Sequence, residues 1–176
     1  MILQLKRTPG IYLVGFMGCG KSTIGRMLAQ SLGWPFGDLD EDIERAEQLT
    51  IPEIFERFGE ADFRRRETEA LKRRIRSVQA GKPLVLALGG GAFTIPENVK
   101  LVKDNGISIW IDAPLALVKK RVANCSHRPL ARDPEQFERL YLERRPSYAQ
   151  ADYRVELQED DSRQACDAIL RLPIFH

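Results

Sequence analysis

The stretch Ile11-Tyr12-Leu13-Val14-Gly15-Phe16-Met17-Gly18-Cys19-Gly20-Lys21-Ser22-Thr23 decides the fold. Its first four residues are a continuous apolar run, the pattern of a strand buried on both faces of a parallel sheet. Lys21 to Leu32 follows with Ile24, Met27, Leu28 and Leu32 at helical spacing, and Gly33 ends it. Between them Gly15, Gly20, Lys21 and Ser22 fit G-x-x-x-x-G-K-[ST], so strand, glycine turn and helix make a P-loop. Glycines let consecutive backbone N–H groups converge on phosphate oxygens, and the helix dipole adds positive potential at the same point. Lys21 can reach the β- and γ-phosphates, and the Ser22 hydroxyl can ligate Mg²⁺. A nucleoside triphosphate is the expected ligand; the motif does not say what receives the phosphate.

Working outward, strands and helices alternate. Trp34 to Asp40 reads as a short strand whose end presents Asp38 and Asp40, and Glu41 to Gln48 as a helix. Thr50-Ile51-Pro52-Glu53 is a capping box with proline in the first turn. It opens a helix closed at Gly59, and Glu60 to Ala80 forms another. Leu84 to Leu88 is a second apolar strand, followed by Gly89-Gly90-Gly91. Pro96 to Asn105 is helical, Ile107 to Ile111 a strand, and Pro114 to Ala123 a helix. Asn124 to Pro134 is polar and proline-punctuated and reads as a mobile loop. Pro134 to Ala149 is helical, Tyr153 to Leu157 an edge strand, and Arg163 to Leu172 a last amphipathic helix. This alternation predicts an α/β fold with a parallel sheet covered on both faces.

The 176 residues suffice for one domain with a full core. Net charge is +2, which gives no bulk argument for nucleic acid or a membrane surface. No apolar run has the length of a membrane span. Cys19, Cys125 and Cys166 fit neither a disulfide framework nor a zinc spacing, and a reducing cytoplasm is the simplest setting. Cys19, inside the phosphate nest, reads as a small filler, with a reactive thiol as the alternative.

A Mg²⁺-dependent phosphoryl transfer needs a carboxylate beside the P-loop strand. Asp112 ends the strand Ile107 to Ile111, but Asp112-Ala113-Pro114 is also a good helix start, and capping is the preferred reading. Asp38-Leu39-Asp40 is the other candidate. Two residues apart on a strand, both carboxylates would face one pocket, one near Mg²⁺ and one able to take a hydroxyl proton. The alternative is that they flank a helix start. Gly89 to Gly91 suggests close backbone approach of a ligand, or simply a tight turn. Arg64 to Arg76 holds seven Lys/Arg, with Glu69 and Arg73 as an i,i+4 pair, and reads mostly as a solvated helix face. Arg64, Arg128 and Arg144 stand apart as forks that could grip a carboxylate or phosphate.

Taken together, the P-loop, Asp38-Leu39-Asp40, Phe63-Arg64 with Glu67, Gly89-Gly90-Gly91, Arg128-Pro129-Leu130 and Arg144-Arg145-Pro146-Ser147-Tyr148 resemble the shikimate kinase family over nearly the whole chain. The resemblance implies a three-layer P-loop kinase fold similar to nucleoside monophosphate kinases, with a five-stranded parallel sheet in the order 2-3-1-4-5. It implies Mg²⁺-dependent transfer of the ATP γ-phosphate to the 3-hydroxyl of shikimate. The expected setting is the cytoplasm, as a monomer without nucleic-acid or membrane partners. By resemblance, Gly18, Cys19, Gly20, Lys21, Ser22 and Thr23 would hold the nucleotide phosphates, with Lys21 catalytic. Asp38 would reach the metal through water, alongside Ser22. Asp40 would hold the shikimate hydroxyls and serve as base. Arg64 and Arg144 would grip the shikimate carboxylate, Gly89, Gly90 and Gly91 would line its ring, and Phe55 and Phe63 would wall the pocket. The substrate-binding helical region would span about 40–67. Arg128 would close with a lid at about 124–134, and Arg121 would pack near adenine. Ser147 and Ala131 stand where the family usually has leucine, and the turn Gln158 to Ser162 resembles the family's adenine-binding turn only loosely.

Overall fold

The computed structural model describes residues 10–123 and 133–175. Five strands, β1 (Gly10–Val14), β2 (Phe36–Asp38), β3 (Leu84–Ala87), β4 (Ile107–Asp112) and β5 (Tyr153–Glu156), form one parallel sheet in the order 2-3-1-4-5. Among the described residues seven α-helices pack around it: α1 (Lys21–Leu32), α2 (Leu39–Glu47), α3 (Ile51–Gln79), α4 (Pro96–Asp104), α5 (Leu115–Ala123), α6 (Pro134–Tyr148) and α7 (Ser162–Leu170). The central strands β1 and β3 are buried at every residue, as their unbroken apolar runs require. Register sets Leu13, Ala87 and Asp38 side by side across β1, β3 and β2. The P-loop, the glycine turn after β3 and the end of β2 therefore emerge at one level of the sheet, where open α/β sheets bind ligands.

The long α3 is two helices in one. Gly59 has φ 82° and ψ 173°, a conformation essentially confined to glycine, and it breaks the helix where the sequence predicts. The break brings Phe55 of the first arm onto Phe63 of the second, with ring centroids 4.6 Å apart. Thr50 caps the first arm by accepting from the Glu53 N–H.

Three local expectations change. Asp40 does not share a strand with Asp38. β2 stops at Asp38, whose side chain caps α2, and Asp40 lies in the first helical turn. The cap wins because Asp40, Glu41 and Asp42 all complement the positive end of α2. Asp112 caps nothing; its carboxylate is taken by Arg145 and Arg154. Glu69 pairs with Lys72 rather than Arg73.

Candidate active site

The nucleotide half is built by the turn between β1 and α1. Gly15, Gly18 and Gly20 all have positive φ, and Gly20 is the residue from which α1 starts. Lys21 is buried against this turn: its Nζ donates to the carbonyls of Gly15 (2.7 Å) and Phe16 (3.0 Å). Its ammonium is thus held by carbonyls of the loop itself, and the Cys19 N–H also donates to the Phe16 carbonyl (3.2 Å). Cys19 is fully buried, 3.7 Å from the Lys21 Nζ, which removes the access a reactive thiol needs. Thr23 is exposed one residue beyond Ser22. The Ser22 hydroxyl donates to Asp38 Oδ2 at 2.5 Å, while Asp38 Oδ1 accepts from the N–H groups of Asp40 (3.0 Å) and Glu41 (3.2 Å). One carboxylate thereby ties the P-loop to the start of α2. Arg121 crosses the loop, donating to the Gly18 carbonyl (3.0 Å) and pairing with Asp160 in the turn before α7.

The acceptor half is organised by Gly89, Gly90 and Gly91. A Cβ on Gly89 would lie 2.6 Å from Asp40 Oδ1 and 3.2 Å from Glu67 Oε2. On Gly90 it would lie 3.3 Å from Arg144 Nη1 and 3.2 Å from the Met17 N–H nitrogen, and on Gly91 it would overlap the Arg64 guanidinium. Each missing side chain is space that one charged group uses. The turn itself is pinned: Tyr148 Oη donates to the Gly90 carbonyl (2.5 Å), Thr94 Oγ1 to Gly91 (2.6 Å) and Asn98 Nδ2 to Ala92 (3.0 Å). The tight-turn reading of the three glycines holds, and the groups that approach their bare backbone are Asp40, Arg144 and Arg64.

The structure thus brings Asp40, Arg64, Arg144 and the glycine turn together opposite the P-loop. Arg64 lies 5.2 Å over the Phe63 ring, and Arg144 lies 5.8 Å over Phe16 of the P-loop. Arg128 and most of the expected lid, residues 124–132, lie outside the described residues; Asp133 and Pro134 instead form the cap and first turn of α6.

Sequence reasoning gave Glu67 no role. It is fully buried; Oε1 accepts from Arg64 Nη1 at 2.9 Å, and Oε2 has no hydrogen-bond partner among the described residues. Burial pushes its carboxyl from 4.5 up to about 7; Arg64 and Arg144 oppose the rise and Asp40 adds to it. Between these values the folded state keeps a proton that the unfolded chain has released, so this group's contribution to stability falls as pH rises from about 4.5 to 7 and is level above. Wild type should lose on the order of 3 kcal/mol across that window relative to Glu67→Gln, measured by urea unfolding at pH 5 and 7.5. The carboxyls held low by arginine hydrogen bonds, Asp62 and Asp160, titrate below the window. An identical slope in both proteins would contradict the assignment. Tyr148 was likewise missed as the residue holding the glycine turn; the i,i+3 spacing of Arg64 and Glu67 was the readable hint for the first.

Comparison with known proteins follows this geometry. The family model described as Shikimate kinase matches residues 17–172. A shikimate kinase of Cereibacter sphaeroides is 44% identical over 167 residues, covering 93% of this chain and 81% of that protein. A shikimate kinase of Persephonella marina is 41% identical over 161 residues, covering 91% of this chain and 96% of that protein. Among solved structures, the shikimate kinase from Acinetobacter baumannii in complex with shikimate superposes with a TM-score of 0.85 at 40% identity, covering 93% of this chain and 91% of that one. By sequence along nearly its whole length and by fold, the chain belongs to the shikimate kinase family.

Proposed function

We infer that the chain transfers the γ-phosphate of ATP to the 3-hydroxyl of shikimate, giving shikimate 3-phosphate and ADP. The observation that carries this reading is the convergence of Asp40, Arg64 and Arg144 on the Gly89–Gly91 turn, facing the P-loop. A small polyhydroxy acid needs those groups: two guanidinium forks for its carboxylate, a carboxylate for its hydroxyls, and bare backbone for its ring.

Mg²⁺ fits the residues present. Ser22 Oγ and Asp38 Oδ2 are hard oxygen donors 2.5 Å apart at the mouth of the loop. Mg²⁺ is commonly held by one or two such groups together with substrate phosphates and water. Ser22 would bind it directly and Asp38 through water. When bound, the ion would neutralise charge on the β- and γ-phosphates.

The chain's own residues would do the rest. Arg64 and Arg144 orient shikimate through its carboxylate, so that the 3-hydroxyl lies at Asp40. Asp40 accepts the hydroxyl proton as the oxygen bonds to the γ-phosphorus, and the β-phosphate oxygen leaves with the electron pair. Lys21 stabilises charge on the transferring group. Phosphoryl transfer asks for such positioning and positive charge more than for covalent help.

The reading extends to a monomer acting in the cytoplasm without nucleic acid. Arg65, Arg66, Lys72 and Arg74 of the basic run in α3 are each engaged by acids, so their charge is already matched within the chain, which supports the absence of a nucleic-acid stripe. No helix among the described residues is long and apolar enough to cross a membrane. ADP release with ATP, Mg²⁺ and shikimate, gluconate or nucleoside monophosphates in turn tests the assignment. Turnover should appear with shikimate; turnover with another acceptor and none with shikimate would overturn it.

A further inference from the structure

α6 carries two adjacent arginines with opposite destinations. Successive helical residues point about 100° apart, so Arg144 and Arg145 cannot serve one site. Arg144 reaches Gly90. Arg145 reaches Asp112, the last residue of β4, with a two-pronged fork: Nη1 to Oδ1 at 2.7 Å and Nη2 to Oδ2 at 3.1 Å. Asp112 is buried, and Arg154 of β5 also binds it, with Nε at 2.9 Å and Nη2 at 2.6 Å from Oδ2. Both guanidiniums lie 4.9 Å from the centre of the Trp110 ring. Tyr141 completes the cluster. Its hydroxyl accepts from Arg145 Nη1 (2.9 Å) and donates to the Ala113 carbonyl (2.8 Å).

None of these groups has a part in the phosphoryl transfer derived above. Arg145 is the next residue along α6 from one that does. The same helix touches the P-loop through Phe137 and Tyr141, edge-on to Phe16 at 5.1 and 5.3 Å, and the glycine turn through Tyr148. The ring contacts with Phe16 hold the helix against the P-loop but resist rotation about its axis weakly, and the Tyr148 hydrogen bond constrains α6 at one point, its last residue. A planar fork fixes direction as well as distance. A partly buried ion pair of this kind adds little net stability, so orientation is the effect to look for.

We propose that Arg145 and Asp112 are positioning residues for the shikimate subsite: their fork sets the rotation of α6 so that Arg144 arrives over Gly90 in the geometry that receives the substrate carboxylate. The proposal rests on the reading of Arg144 given above. Arg154 provides the internal comparison. It binds the same carboxylate but belongs to β5, and so carries no part of α6.

The test is steady-state kinetics and thermal unfolding on Arg145→Lys, Asp112→Asn, Arg154→Lys and Arg144→Ala, with Arg145→Lys also placed in the Arg144→Ala background. Lysine keeps the charge and loses the fork. Arg145→Lys and Asp112→Asn should raise the shikimate KM about 5- to 20-fold, with kcat and the ATP KM within about twofold. Arg154→Lys should leave the shikimate KM within about twofold. In the Arg144→Ala background, Arg145→Lys should add less than about twofold, because it acts through the residue already removed. Three results would each overturn the proposal: a folded Arg145→Lys enzyme with unchanged shikimate KM, an Arg154→Lys enzyme with an equal rise, or losses that multiply in the double variant. Should Arg144→Ala itself leave the shikimate KM unchanged, the reading of Arg144 falls and the proposal with it. A failure confined to Arg145 overturns the proposal alone.

Discussion

Lys21→Met should lower kcat by about 10²- to 10⁴-fold while the protein remains folded at assay temperature. Methionine keeps the length and apolar stem of lysine and removes the charge. In the structure that charge is already fixed at the loop, bonded to the Gly15 and Phe16 carbonyls. In the proposed role a cation at the loop stabilises charge that develops on the transferring phosphoryl group, so its loss should fall on kcat. The same substitution strips a donor from two buried carbonyls, at about 1–3 kcal/mol each. Thermal unfolding must therefore accompany the kinetics. A stable variant with near-normal kcat would show that Lys21 does not act on the phosphate.

The second large effect is at Arg64. Arg64→Lys should raise the shikimate KM about 10- to 100-fold and leave the ATP KM within about twofold, since hydrogen bonds to charged groups are worth about 1.5–3 kcal/mol. Lysine is the better probe than alanine. Arg64 is the ion-pair partner of the buried Glu67, and removing the charge altogether would leave that carboxylate uncompensated. Lysine can keep the pairing and cannot reproduce the fork. Equal losses for both substrates would contradict the assignment of Arg64 to shikimate's acid group.

Much of the fold was legible because parallel strands announce themselves. Ile11 to Val14 and Leu84 to Ala87 are apolar without interruption, Ile107 to Ile111 is broken only by Ser108, and they are the three central strands. The order of the sheet was not in the periodicity; it came with the family resemblance. The site was legible where chemistry is local, as in the P-loop and the three glycines. It was less so where the partner is distant. Asp112 looked like a cap because Ala113 and Pro114 follow it, yet Arg145 and Arg154, 33 and 42 residues away in sequence, take both its oxygens. A local rule lost to a tertiary fork. Asp40 was placed on a strand although Asp38 to Asp42 carries four acids, itself the signature of a helix start. Glu67 shows a different limit. An Arg and Glu three apart on a helix look alike whether exposed or buried, and only packing leaves one carboxylate oxygen without a hydrogen-bond partner among the described residues.

The central claim is that Asp40, Arg64 and Arg144 receive shikimate over the glycine turn, opposite the P-loop. A crystal structure of this chain with shikimate and ADP–Mg²⁺ tests it most directly. The account predicts the shikimate carboxylate within hydrogen-bonding distance of both guanidiniums and the 3-hydroxyl at Asp40, on the side facing the nucleotide. Shikimate bound elsewhere, or turned so that its carboxylate lies away from Arg64 and Arg144, would contradict it.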